Sequence, residues 1–214
     1  MTTISTRDLS ALPDLEGTRN VMRALAMLDA VLCPEWEFRY FSFNDDWEPG
    51  EKLGLMRNGE GDDWLLFFNP QGAILKGFQH DASMARKMPW PGLFDGVPGA
   101  FEKFLSEPAF TREQTTFCAW LLDDDRRWRR SETIEFPMGD DPDGSAKLMQ
   151  FLDGQPDTYK AWADEYYGVP VDLRVVERVY RQEPLRLSLI RALNPDAHPE
   201  IVYEEARDIG YPLR

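Results

Sequence analysis

The sequence has little histidine and cysteine, the side chains that most often act as general bases, nucleophiles and metal ligands. Its 214 residues include two histidines, His80 and His198, and two cysteines, Cys33 and Cys118. There is no G-x-S-x-G nucleophile motif, no glycine-rich phosphate loop and no cysteine pair with metal-ligand spacing. These absences argue against nucleophilic hydrolysis, nucleotide cofactors and structural zinc. We therefore predict no catalytic residue, no cofactor and no metal.

Long apolar runs and an excess of basic residues are also missing. No stretch of about 18 apolar residues is present, and the first residues lack an apolar signal core. We therefore expect a cytoplasmic protein in which Cys33 and Cys118 are buried free thiols. The net charge is −14, which repels phosphate backbones and anionic lipid, so neither a nucleic-acid nor a membrane partner is expected. The composition is compatible with a protein partner and gives no prediction of oligomeric state.

What the chain does have is apolar and aromatic residues, at 43% and 13% of the sequence. This content predicts a packed core that needs no disulfide or metal. The length suits one α+β domain over residues 1–214, with a sheet lobe at about 15–137 and a helical C-terminal part at about 145–210.

The pattern of elements predicts an antiparallel meander between helical segments. Apolar residues at helical spacing predict a helix from Leu15 to about Leu32, after a mobile or extended arm at residues 1–13. Residues 35–80 read as four strands joined by turn-forming residues, and 115–123 and 127–136 as two more, so we expect about six strands. The helical third begins near Ser145. Trp36, Trp64 and Trp120 lie within strand patterns and are predicted to be buried.

Few residues stand out as site candidates. His80 and Asp81 follow the fourth predicted strand, where adjacent side chains point apart unless the backbone turns, so a structural or surface role is expected. Trp47 and Trp90 lie in predicted loops and are candidate binding residues, as anchors for a partner or as plugs over the sheet. The segment 140–144, DDPDG, lacks the spacing of a calcium loop and predicts a solvated turn.

One helical segment, DTYKAWADEYYG at 157–168, resembles the tyrosine-rich helix of a superfamily of bacterial immunity proteins. In that superfamily the helix precedes the sheet, whereas here it follows the sheet. No residue role is therefore carried over.

Two functions fit these features. The first is an acidic, non-enzymatic binding protein, such as a bacterial immunity or regulatory protein that engages a basic protein partner. The alternative is an enzyme or small-ligand binder with a carboxylate-lined pocket between the sheet and segment 88–99, with Asp62, Asp63, Asp81 and Asp95 around a divalent ion. Convergence of these four carboxylates in one cleft would favour the alternative, and their dispersal would favour the binding protein.

Overall fold

A computed structural model describes residues 3–168 and 170–214. It has the predicted α+β architecture, with an N-terminal helix, an antiparallel sheet and C-terminal helices. The sheet is a meander in which sequence neighbours pair in the order β1-β2-β3-β4-β5. Its strands are β1 Phe41–Glu48, β2 Glu51–Arg57, β3 Asp63–Asn69, β4 Gly72–Phe78 and β5 Phe117–Leu122.

The β3–β4 hairpin shows how the turn residues set the register. Asn69 pairs with Gly72 around a tight turn that places Pro70 second, and the register continues without a shift to Asp63 opposite Phe78. Gly72 has φ +147° and approaches β5 so closely that a Cβ would lie 2.1 Å from the Leu121 carbonyl oxygen. Only glycine fits this position.

The helices are short apart from the first and the fourth. The first helix, α1, begins after Asp14, whose carboxylate accepts a hydrogen bond of 2.8 Å from the Gly17 amide. The α-helices are α1 Leu15–Leu32, α2 Glu102–Ser106, α3 Ser145–Met149, α4 Pro156–Tyr167, α5 Leu173–Tyr180, α6 Leu187–Leu193 and α7 Pro199–Asp208. Short 3-10 turns occur at Trp36–Phe38, Ser83–Arg86, Gly99–Phe101, Pro108–Phe110 and Gln150–Asp153.

The sheet has two faces that are covered differently. Alternate residues such as Trp64, Leu66 and Phe68 pack against α1 and the C-terminal helices in the larger core. We call this side the helix-covered face. The residues between them, such as Phe67, pack against side chains of segment 82–112 in a smaller core. We call this side the second face.

The expected sixth strand at 127–136 is not formed. A single bridge joins Arg129 to Trp120 of β5, and the neighbouring side chains turn toward the N-terminal segment instead. The Trp128 indole donates to the Pro13 carbonyl at 2.9 Å, and Arg130 Nε donates to the Thr6 carbonyl at 2.6 Å. These contacts hold residues 128–130 as a connection across the edge of the sheet.

The N-terminal segment is not a mobile arm over the part that the structure describes. Ile4 and Thr6 are buried, and the Thr6 amide donates to Ser145 Oγ at 2.9 Å. Asp143 accepts hydrogen bonds from the Thr6 hydroxyl and from Ser145 at the start of α3. The prediction of a solvated turn for DDPDG is therefore wrong, because Pro142, Asp143 and Gly144 are buried where the turn joins the N-terminal segment to α3. Residues 1 and 2 of the expected arm lie outside the described residues.

Strand β1 begins later than predicted. Residues Trp36–Phe38 form a 3-10 turn, and Trp36 is 52% exposed, whereas Trp64 and Trp120 are buried as expected. The buried Arg39 guanidinium binds the carbonyls of Cys33 and Pro34, which fixes a turn between α1 and β1. This turn keeps Trp36 out of strand pairing and leaves its ring beside Arg57 of β2.

Cys33 and Cys118 are buried free thiols. Among the described helices, none combines the length and the apolar character that crossing a bilayer requires.

Candidate functional site

His80 is bound to a buried carboxylate that sequence reasoning did not assign to it. The turn after β4 brings His80 Nδ1 to 2.6 Å from Asp62 Oδ1, and the His80 amide donates to the same oxygen at 2.9 Å. Asp62 is buried and also accepts from Asn58 Nδ2 at 2.9 Å, with Lys147 Nζ at 3.4 Å. The backbone turn allows His80 Nε2 to lie 3.2 Å from Asp81 Oδ2 as well.

This geometry favours the charged form of the imidazole. The hydrogen bond to Asp62 raises the pKa of His80, and the charges of Asp62 and Asp81 add to that effect. Burial raises the pKa of Asp62, but the hydrogen bonds from His80 and the charge of Lys147 outweigh burial, so its pKa is lowered. Each ring nitrogen of His80 thus has a carboxylate oxygen within 3.2 Å. The cluster therefore stabilises the loop between β2 and β3 against the end of β4.

The four carboxylates of the alternative hypothesis lie in three places. Asp62 and Asp81 contact His80, Asp63 points to the second face of the sheet, and Asp95 accepts a hydrogen bond of 2.8 Å from the Thr133 hydroxyl. Across residues 3–168 and 170–214, no three His, Cys, Asp or Glu side chains are placed to share a metal ion.

A cavity does lie beside segment 88–99, as the alternative hypothesis expected, but its charge differs. It has a volume of about 730 Å³ and lies between Trp120 of β5 and residues Asp95 and Gly96. Its charged lining includes three carboxylates, Asp95, Asp125 and Glu132, together with four arginines, Arg7, Arg127, Arg129 and Arg130. Mixed charge of this kind does not form a carboxylate site for a divalent ion.

A second cavity lies where segment 82–112 leaves the second face open over β1 to β3. Its volume is about 640 Å³, and we call it the sheet-face cavity. The wall on the sheet is largely apolar, with Leu53, Leu55 and Leu65 among its residues, and also contains Asp63 and Lys76. Trp36, Trp47 and Phe110 line it as well. An apolar wall with a few polar groups is typical of small-molecule sites.

The two tryptophans predicted as anchors or plugs differ in their surroundings. Trp90 packs against the smaller core, and its indole donates to the Glu135 carbonyl at 3.0 Å. Trp47 lies at the end of β1, is 45% exposed and contacts Phe110, with 6.4 Å between the ring centroids. Trp90 thus has the environment of a plug, and Trp47 that of a surface aromatic.

Sequence reasoning missed a group of exposed aromatic residues on the 3-10 turn before β1 and on α4. Trp36, Phe38 and Tyr166 are 52%, 64% and 45% exposed, and we call them the aromatic patch. They are neighbours, since the Tyr166 hydroxyl lies 3.5 Å from the Phe38 carbonyl oxygen and Trp36 belongs to the same 3-10 turn as Phe38. The available signal was Pro34, because an element that follows a proline can begin with a turn rather than a strand.

The residues beneath the patch hold it in place. Tyr166 stacks on Trp162 at 4.8 Å and meets Tyr40 edge-on at 5.5 Å, and the Arg57 guanidinium lies 4.1 Å from the Trp36 ring centroid. These contacts restrict two of the three exposed rings before any partner binds.

Comparison of the chain with protein-family models, with curated proteins and with solved structures gives no match in any of the three.

Proposed function

We propose that this chain is a non-enzymatic binding protein that engages a basic protein partner through the aromatic patch. The observation that supports this proposal is the exposure of Trp36 and Phe38 on one 3-10 turn, together with that of Tyr166, whose hydroxyl reaches the Phe38 carbonyl. Large aromatic side chains supply much of the binding energy at protein interfaces, whereas a monomer gains nothing from exposing them together. A bacterial immunity or regulatory protein in the cytoplasm, masking a basic toxin or effector, is the sharpest form of this proposal.

The negative charge near the aromatic patch indicates the kind of partner. Glu35, Glu37 and Glu165 are exposed and flank the aromatic residues in sequence. Within the described part of the chain none of the three forms an ion pair. Together with the net charge of −14, free carboxylates around an apolar centre favour a partner with lysine and arginine around an apolar contact.

The dispersal of Asp62, Asp63, Asp81 and Asp95 supports the same proposal, because a metal-dependent active site would need such carboxylates to converge. The state of His80 supports it too. Its ring nitrogens face Asp62 and Asp81 at 2.6 and 3.2 Å, so the ring is poorly placed to act as a general base.

The experiment compares capture of partners from the source cell by the wild-type chain and by Phe38→Ser and Trp36→Ser variants. Both residues are more than half exposed, so the variants are expected to fold. Leu187→Ser and Ile201→Ser are matched controls, because these residues are 51% and 48% exposed on other helices. We expect a basic protein that the wild type and both controls retain and that the two patch variants lose.

The captured protein is then purified and its association measured directly. We expect each patch variant to weaken binding by about 2 kcal/mol, as loss of an interfacial aromatic does. Association should slow as salt rises from about 0.05 to 0.5 M, because screening shortens the reach of the carboxylates. Equal binding by wild type and patch variants, or a partner without basic character, would refute the proposal.

A further inference from the structure

The sheet-face cavity contains a lysine that the fold does not satisfy. Lys76 is 3% exposed and lies on β4 within an otherwise apolar strand, GAILKGF. Its ammonium has three protons to donate, but its protein partners are the Thr111 carbonyl and the Thr115 hydroxyl, each 3.5 Å away. That distance is beyond the usual range of a hydrogen bond from nitrogen. Burial accordingly lowers the pKa of Lys76.

A carboxylate faces the same cavity from the neighbouring strand. Lys76 pairs with Leu65 across the β3–β4 ladder, so Asp63 is its diagonal neighbour on the second face, at the roughly 7–8 Å typical of diagonal pairs. Asp63 is half-buried, and the two side chains form no ion pair within 4.0 Å. Burial raises the pKa of Asp63, and the charge of Lys76 partly opposes that effect.

The α7 side of the cavity carries Asp208 and the ion pair of Arg39 with Glu205, and its sheet side presents Lys76 and Asp63 as separate opposite charges beside an apolar wall. A simple anion bound at Lys76 would meet the Asp63 carboxylate, and a simple cation bound at Asp63 would meet the Lys76 ammonium. A ligand with both charges satisfies both groups. The leucines at 53, 55 and 65 then provide a surface for an apolar side chain.

We infer that the sheet-face cavity binds a small zwitterion of the amino-acid class with an apolar side chain. The ligand carboxylate accepts hydrogen bonds from Lys76 Nζ, and the ligand ammonium donates to Asp63. The side chain lies on Leu55 and Leu65, toward Trp47 and Phe110. The cavity volume of about 640 Å³ exceeds what such a molecule occupies, so water fills the remainder. Trp36 lines the cavity and also belongs to the aromatic patch, whereas Lys76 and Asp63 belong to the cavity alone and Phe38 to the patch alone.

The test uses the full chain with L-leucine and L-phenylalanine as probes, in isothermal titration calorimetry and in tryptophan fluorescence, since Trp47 lines the cavity. Two comparison compounds carry one charge each on the same carbon skeleton, 4-methylpentanoate without the ammonium and 3-methylbutylamine without the carboxylate. We expect saturable binding of at least one amino acid, and at least about tenfold weaker binding of both comparison compounds.

Variants at Lys76 and Asp63 measure how much each charge contributes to ligand affinity. Lys76→Met keeps the length of the side chain and removes its charge, and Asp63→Asn does the same for the carboxylate. We expect each variant to lose about tenfold or more in affinity, while Lys147→Met, at a lysine outside the cavity, binds as the wild type does. Asp63 is partly exposed, so Asp63→Asn tests the inference even if Lys76→Met folds poorly.

Three results would overturn the inference. The first is that neither amino acid binds saturably up to about 10 mM. The second is that a comparison compound with one charge binds as tightly as the amino acid, and the third is that a folded variant at Lys76 or Asp63 keeps the wild-type affinity. Phe38→Ser should leave amino-acid affinity unchanged, so this result and the result for partner capture are read separately.

Discussion

The two faces of the sheet differ in how completely the rest of the chain covers them. On the helix-covered face, α1 and the C-terminal helices bury whole side chains such as Trp64, whose indole also donates to the Leu148 carbonyl at 2.9 Å. On the second face, segment 82–112 covers β4, β5 and part of β3 and leaves the sheet-face cavity over the rest. The first face supplies stability, and the second leaves space in which a ligand can bind.

The buried charges on the two sides show the same contrast. Asp29 of α1 accepts hydrogen bonds from the Tyr40 amide, the Phe41 amide and the Tyr159 hydroxyl at 3.0, 2.7 and 2.7 Å. Lys76 on the second face has two partners, both at 3.5 Å. A buried charge that the fold satisfies is structural, whereas one that the fold leaves short of partners is a candidate for a ligand.

The largest expected effect is on stability, and it compares the packing of the two faces through two adjacent leucines of β3. Leu66 is fully buried on the helix-covered face, and Leu65 lines the sheet-face cavity. Leu66→Ala should lower the free energy of unfolding by about 4 kcal/mol, because it leaves a void among fixed helices, and Leu65→Ala by about 1 kcal/mol. Urea denaturation measures both. Similar losses would mean that the two faces are equally well packed.

The next prediction concerns pH and Asp29. Burial raises the pKa of Asp29 from 3.8 to about 6, so between these values the folded state holds a proton that the unfolded state has released. Stability contributed by this residue should therefore fall as pH rises from about 4 to 6, by about 3 kcal/mol in total, and then level off.

Comparing wild type with Asp29→Asn isolates this effect from other titrating groups. The variant should gain on the wild type across that pH window, while Asp46→Asn, at an exposed position, should not. The measurement is urea denaturation at half-unit pH steps. A constant difference between wild type and Asp29→Asn from pH 4 to 7 would contradict a raised pKa.

The smallest expected effect is a difference in stability between two tryptophan variants, one in the covered part of the second face and one in its open part. Trp90→Ala removes a ring from the smaller core and its hydrogen bond to Glu135, so we expect a loss of about 2 kcal/mol in unfolding free energy. Trp47→Ala should cost less than half of that, because the ring is 45% exposed. Thermal melts and capture of the partner are measured for both variants. If Trp47 is an anchor, Trp47→Ala loses capture of the partner and Trp90→Ala keeps it. Full capture by Trp47→Ala would show that Trp47 is not part of the binding surface.

Much of the sheet could be predicted because its signals are local. Short, nearly continuous apolar runs identify β3 and β4, and Pro70 with Gly72 identifies the turn between them. The errors occurred where distant contacts decide the local structure. Arg39, which forms an ion pair with Glu205 of α7, holds residues 33–39 in a turn, and Thr6 and Pro13 hold Arg130 and Trp128 away from strand pairing.

The sheet-face cavity and the contact of His80 with Asp62 were harder to predict than the fold. The sheet-face cavity lies between the sheet and residues 109–111 of segment 82–112, and no local pattern specifies how closely an irregular segment packs on a sheet. The partner of His80 was also hidden, because Asp62 belongs to a different hairpin. One signal was present, since Lys76 interrupts an apolar strand, and a single charge in that position indicates a buried group with a specific role.

The position of α1 has a consequence for the order in which the chain folds during synthesis. This helix contacts β1 next to it in sequence, but also α5, α6 and α7, which span residues 173–208. The meander pairs only neighbouring strands and can form as soon as it leaves the ribosome, whereas α1 must wait for more than half of the chain. Until then its apolar surface is available to chaperones, and a nascent chain that stops near residue 144 would keep it uncovered.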